Sequence, residues 1–267
     1  MRPVSDDPTE AAPRLVRATR YVAPLREGGS LPGLVEADDD GMYVVKFRGA
    51  GQGPLVLVAE LIVGALARAL GIAAPEVVLV DVPGDLGAAE PDQEIQDLLR
   101  ASPGLNAGLD FLPGSLPFDP ASATDVDPEA AADVVWLDAL VQNVDRTPRN
   151  PNLLRWHGRI RPIDHGAALY RHHGGFPTAP AARSPFPLVA DHVLLPFAGS
   201  IEEADERLGD RLDATVLAAV VGAVPDEWLT VGEAGPDVRR EDYLTHLGER
   251  LRAPRGFASE SERARRA

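Results

Sequence analysis

Apolar positions in this chain recur with two different periods, and the change between them divides it. From Arg17 to Phe47 the runs are short and alternate as strands do, at Arg17–Val22, Leu34–Glu36 and Met42–Phe47. Asp38-Asp39-Asp40-Gly41 separates the last two, and Asp-Gly between β-prone runs predicts a hairpin. A helical period takes over from Leu55 to Leu70, where Leu57, Leu61, Ala65 and Leu66 form a stripe that Ile62 and Ala69 broaden. Pro54 suits its first position and Gly71 its stop. Strands return at Pro75–Asp81 and Leu105–Leu112, around a short helix at Gln93–Arg100. Thereafter the pattern is mainly helical. Asp127-Pro128-Glu129 opens a helix with Val134, Leu137 and Val141 on one face, and others are predicted at Ser200–Leu208, Ala214–Val221 and Arg239–Leu251. Between them, Leu153–Trp156 and Arg159–Ile163 flank His157-Gly158, a two-residue hairpin turn. Arg171–Pro187 is polar and rich in Gly and Pro, which predicts a mobile loop, and His165, His172 and His173 read as solvated loop histidines.

Strands followed by helices predict an α+β fold. The expected division is a disordered acidic tail over 1–12, a β-rich part over 13–115, a helical part over 116–253 and a tail over 254–267, frayed and solvated at Arg263–Arg266. With 267 residues the chain can bury a sizeable core. Aromatics are only 5%, so that core must come mostly from Leu, Val, Ala and Ile. There is no cysteine, which excludes disulfides and thiolate metal sites and suits a cytoplasmic location. No run approaches a membrane span, and the N-terminus lacks an apolar signal core. A net charge of −15 argues against direct nucleic-acid or anionic-membrane binding.

The candidate chemistry is acidic. Asp145 is followed five positions later by Asn150, and Asp164-His165-Gly166 comes just after the predicted hairpin. An Asp, an Asn at that spacing and a second Asp before x-Gly are the parts phosphoryl transfer requires: a base that orients the nucleophile, and two oxygen ligands for Mg²⁺. The hairpin returns Asn150 and Asp164 to the same end of two strands, as a shared metal would need. Taken alone, either motif reads as a surface ion pair or a plain turn. Lys46, on the face of Met42 and Val44, is either a solvated edge residue or a phosphate clamp held by Glu60, the sole acid of the 55–70 helix. Gly28-Gly29-Ser30 stands ahead of it as a tight turn whose amides could approach phosphates.

The run Asn143 to Leu154 with Ile163-Asp164-His165-Gly166 resembles the HipA-like kinases, and more distantly the phosphoinositide kinases, with the likeness extending from about Tyr21 to Leu251. The resemblance implies a two-lobed, protein-kinase-like fold, with a β-rich N-terminal lobe and a mostly helical C-terminal lobe, that binds ATP and Mg²⁺ between them. Under it Asp145, Lys46 and Glu60 are the catalytic residues, and Asn150 and Asp164 hold the metal. Gly28, Gly29, Ser30 and Lys46 contact the phosphates, while Asp110, Phe111 and Leu112 form the hinge that reads adenine. Asn143-Val144 precedes Asp145 where protein kinases carry His-Arg, so regulation through an activation-loop phosphate on that Arg is not expected.

The expected acceptor is a hydroxyl on a protein, including this chain's own Ser30 or Ser184, because the charge disfavours a lipid surface. The resemblance also raises an antitoxin-like protein partner, for which the sequence carries no signature. Two other readings use the same acids: a nucleotide-binding regulator without transfer, and a metal-dependent phosphohydrolase acting on water.

Overall fold

The computed structural model describes residues 12–25, 31–230 and 235–267. Gly28, Gly29 and Ser30 lie outside them. Five strands close a small barrel in the order β1 (Leu15–Pro24), β2 (Gly33–Ala37), β3 (Met42–Lys46), β5 (Gly104–Asp110) and β4 (Val77–Val82). Closure comes from a parallel pairing of β1 with β4, and the other neighbours are antiparallel. Alternation decides which side chains fill it. Val16, Ala18, Val35, Ala37, Tyr43, Val45, Phe47, Val78, Val80 and Val82 form one apolar cluster, completed by Ile95 and Leu99 of α2 (Gln93–Arg100). Met42, Val44 and Lys46 therefore share the opposite face of β3.

That outer face meets α1 (Leu55–Leu70), which is buried almost all round, Glu60 included. A helix apolar on every side belongs inside a protein. Gly71 ends it in a left-handed conformation, φ 75°, as the sequence predicted. Its terminal carbonyls, at Ala69 and Leu70, also accept hydrogen bonds from Arg211 at 3.2 and 2.8 Å.

The remaining elements are β6 (Leu116–Pro117), α3 (Pro128–Leu140), β7 (Leu153–Trp156), β8 (Arg159–Pro162), α4 (Ala179–Ala182), α5 (Ile201–Leu208), α6 (Ala214–Gly222), α7 (Asp226–Leu229), α8 (Pro236–Leu251) and α9 (Gly256–Arg265). β6, β7 and β8 form a second sheet. His157 and Gly158 turn its hairpin with φ of 48° and 74°, both in the left-handed region such a turn requires. One large core takes in α1, α3, α5, α6, α7, α8 and α9, so α1 packs with the helices and not inside the barrel.

Two expectations are corrected. The C-terminal segment is not a frayed tail, although Arg263 and Arg266 are exposed: α9 buries Phe257 and Ala258, and Glu262 accepts from the Ile201 amide at 2.8 Å, satisfying an otherwise unpaired donor at the start of α5. Nor is Arg171–Pro187 a fully solvated loop. Its His172, Ala182 and Phe186 are buried, because Tyr243 of α8 bonds His172 and Arg250 gathers the carbonyls of Ala182 and Ser184.

Candidate functional site

Lys46 emerges from the end of β3 into the interior, not into water as an edge residue would. It is 5% exposed and Glu60 is 0% exposed. The ammonium is bonded to Glu60 Oε1, and its second partner is Asp164 Oδ1 at 2.5 Å. One cation thus joins the barrel, the central helix and the turn after β8. Burial works against the Lys46 charge, but the two carboxylates outweigh it and raise its pKa above the ordinary lysine value. Burial pushes the Glu60 carboxyl up, with Lys46 opposing. For Asp164 burial also pushes upward, yet the Lys46 charge holds the carboxyl below its usual range. Gly166 permits this approach: a Cβ there would stand 2.6 Å from Val56 Cγ1 and 3.5 Å from Lys46 Nζ.

The second group is built on the loop that follows α3. The Asp145 amide is held by Asn143 Oδ1 at 3.1 Å, and Asn143 in turn donates to Asp138 of α3 at 3.0 Å. Asp145 Oδ2 accepts from Asn150 Nδ2 at 2.7 Å and from Asn152 Nδ2 at 3.3 Å. Thr147 and Asn150 close a tight turn by exchanging backbone hydrogen bonds, both 3.1 Å. Asn150 therefore reaches the site through Asp145. Asn152 lies immediately before β7, and its carbonyl accepts from the Ile163 amide at 3.0 Å, next to Asp164.

The sequence reading passed over Asn152, although a second Asn directly before a β-run was visible. It also passed over Arg146, which is 1% exposed and bonds Asp138 and the carbonyls of Asn152 and Ile163, just beyond the two strands of the hairpin. His165 is buried too. Burial first, then the Arg146 charge, lowers its pKa to about 3, so it is neutral.

In the segment expected to read adenine, the Asp110 and Phe111 amides are already used in strand bonding, to Glu76 O and Met42 O, each at 2.9 Å. Trp156 donates to the Pro113 carbonyl at 3.1 Å and ties β7 to this segment.

The donor set suits a hard cation. Asp164 keeps 42% of its side chain exposed despite its bond to Lys46, and both Asn amides turn their NH₂ to Asp145, leaving their oxygens as acceptors. Among the described residues no three His, Cys, Asp or Glu side chains converge to hold a metal. A cation here would rest on one carboxylate, amide oxygen, phosphate and water.

The crystal structure of the Helicobacter pylori proinflammatory kinase CtkA has a similar fold, with a TM-score of 0.55 at 15% identity over 93% of this chain and 98% of that one. The Golgi casein kinase crystallised with Mn and ADP gives a TM-score of 0.45 at 12% identity, over 92% of this chain and 74% of that one. No curated protein matches the sequence. Lys46, Glu60 and Asp164 form one bonded group and Asp145, Asn150 and Asn152 another, and the sequence matches the HipA-like kinases over residues 19–252. The chain belongs to the HipA-like kinase family.

Proposed function

We propose that this kinase transfers the γ-phosphoryl group of ATP, with Mg²⁺, to a Ser or Thr hydroxyl of a protein. The observation that carries the reading is the pair of bonded groups, Lys46 with Glu60 and Asp164, and Asp145 with its two amides, linked where the Ile163 amide, beside Asp164, donates to the Asn152 carbonyl. In this reading the barrel and the helical body are the two lobes, and the nucleotide lies between them. Asp164 and an Asn amide would hold the cation, which when bound supplies charge neutralisation on the phosphates. Lys46, oriented by Glu60, contributes its charge to the same phosphates. Asp145 accepts the hydroxyl proton as the new O–P bond forms and the bond between γ-phosphorus and the bridging oxygen breaks, leaving ADP. The rate would come from positioning and preorganised charge, with no covalent enzyme intermediate.

Of the two amides, Asn152 is the one whose backbone stands across from Ile163 and beside Asp164. Asn152→Ala should therefore raise the Mg²⁺ requirement more than Asn150→Ala does, by about tenfold against wild type if the ligand is lost. Equal effects would return the role to Asn150.

A protein acceptor is favoured by the −15 net charge, and Ser184 is exposed in the segment between α4 and α5. No helix among the described residues is long and apolar enough to cross a membrane. The test is incubation of the purified chain with labelled ATP, Mg²⁺, candidate proteins and phosphoinositide vesicles. Label should enter protein and be lost in Asp145→Asn, while Mg·ATP still stabilises that variant. Label found only in lipid would sink the choice of acceptor. Phosphate release alone would point to a hydrolase, and binding without turnover to a regulator.

A further inference from the structure

Asn152 and Asp164 both have left-handed backbone, with φ of 48° and 53°. Asn and Asp adopt that conformation more readily than other non-glycine residues, yet it is uncommon even for them. The hairpin between them ends short of both residues, and beyond its strands the Ile163 amide donates to the Asn152 carbonyl at 3.0 Å. What grips the two positions together is a guanidinium. Arg146 Nη1 donates to the Asn152 carbonyl and, at 3.1 Å, to the Ile163 carbonyl, which belongs to the peptide entering Asp164. Its Nε donates to Asp138 Oδ2, and its Nη2 lies 3.5 Å from Asp138 Oδ1 and 3.2 Å from His165 Nδ1. Arginine only donates, so His165 Nδ1 accepts.

Asp138 is itself held from three directions. Besides Arg146 it accepts from Asn143 at 3.0 Å and from His192 Nε2 at 2.9 Å. The other ring nitrogen of His192 accepts from the Leu194 amide at 3.1 Å, and the Val193 amide donates to the Arg146 carbonyl at 3.0 Å. The segment after the Arg171–Pro187 stretch is thereby fastened to the same carboxylate.

We propose that the Asp138–Arg146–His192 network is the positioning device of the site, fixing Asn152 and Asp164 against each other and against Asp145. The inference rests on the phosphotransfer reading and deepens it. A buried ion pair is not needed for stability, because apolar residues of similar volume serve as well. Here the guanidinium uses its donors on the two carbonyls that adjoin the metal ligands, in the manner of an outer ligand shell. None of the three is a catalytic residue.

Arg146→Lys keeps the charge opposite Asp138 but loses the planar fork that spans both carbonyls. The measurement is the Mg²⁺ concentration giving half-maximal stabilisation of the protein by ATP, with ADP binding in EDTA as the second readout. The variant should need about tenfold more Mg²⁺, the scale of outer-shell changes, with ADP binding in EDTA unchanged. An unchanged Mg²⁺ requirement, or equal losses in both readouts, overturns the proposal. If Arg146→Lys does not fold, His192→Leu leaves the guanidinium in place and should raise the requirement about threefold, within the range for networks; no change there overturns it as well. Wild type showing neither Mg·ATP stabilisation nor transfer would instead remove the phosphotransfer reading, and this inference with it.

Discussion

At the scale of single residues, the Lys46–Glu60 contact links stability to chemistry. A lysine acting only as a phosphate clamp would, when replaced, cost activity more than folding. Both side chains are buried, and that changes the expectation. Lys46→Met leaves the Glu60 carboxylate, which is fully buried, with no cation, and breaking a buried pair this way costs about 3 kcal/mol. Glu60→Gln in the Lys46→Met background removes the orphaned charge, so part of that stability should return while transfer remains lost. Urea unfolding and a transfer assay on the single and double variants check both halves. A double variant as unstable as Lys46→Met would mean that packing, not charge, sets the cost.

At the scale of elements, α9 converts what composition presented as a tail into part of the core. Phe257 is 1% exposed, meets Trp136 of α3 edge-on at 5.4 Å between centroids, and lies under Arg250 of α8 at 5.2 Å. Arg250 in turn satisfies the last carbonyls of α3, at Ala139 (2.7 Å) and Leu140 (2.5 Å). Burial lowers its pKa to about 10, still well above neutrality, so it remains charged. Phe257→Ala should destabilise by about 3 kcal/mol, the lower end for an aromatic removed from a core. A thermal melt would show it, and a change under about 0.5 kcal/mol would return α9 to the surface.

At the scale of the whole molecule, pH reads the buried histidines. His165, His172 and His246 are each 1% exposed. Burial, reinforced by Arg146, His173 and Arg250 respectively, lowers each from 6.5 to about 3. Between those values the unfolded chain binds protons that the folded chain refuses. Stability is therefore full above about pH 6.5 and falls as pH drops towards 3, by up to ~1.4 kcal/mol per unit for each group. Urea midpoints should decline between about pH 7.5 and about pH 5.5. His246→Leu should flatten the decline, since among the described residues neither nitrogen of this ring has a hydrogen-bond partner. Equal midpoints across that range would contradict the burial of these rings.

Local chemistry determined the strands, the helix starts and the two acidic motifs. Gly71 at the stop of α1, His157-Gly158 at the hairpin turn and Asp127-Pro128 at the start of α3 act through their nearest neighbours, so they are legible one segment at a time. The partnership of Lys46 with Glu60 was readable for a related reason, because a lone acid in an apolar helix requires a cation. Asp138 gave no such signal, because its helix also carries Glu129 and Asp133, and its partners Arg146 and His192 come from separate loops. Only the tertiary structure decided that α1 shares a core with the helices, that α9 is buried, and that one guanidinium spans two strand ends. Each depends on surfaces brought together across many residues, and sequence period carries no information about which distant face a stripe will meet.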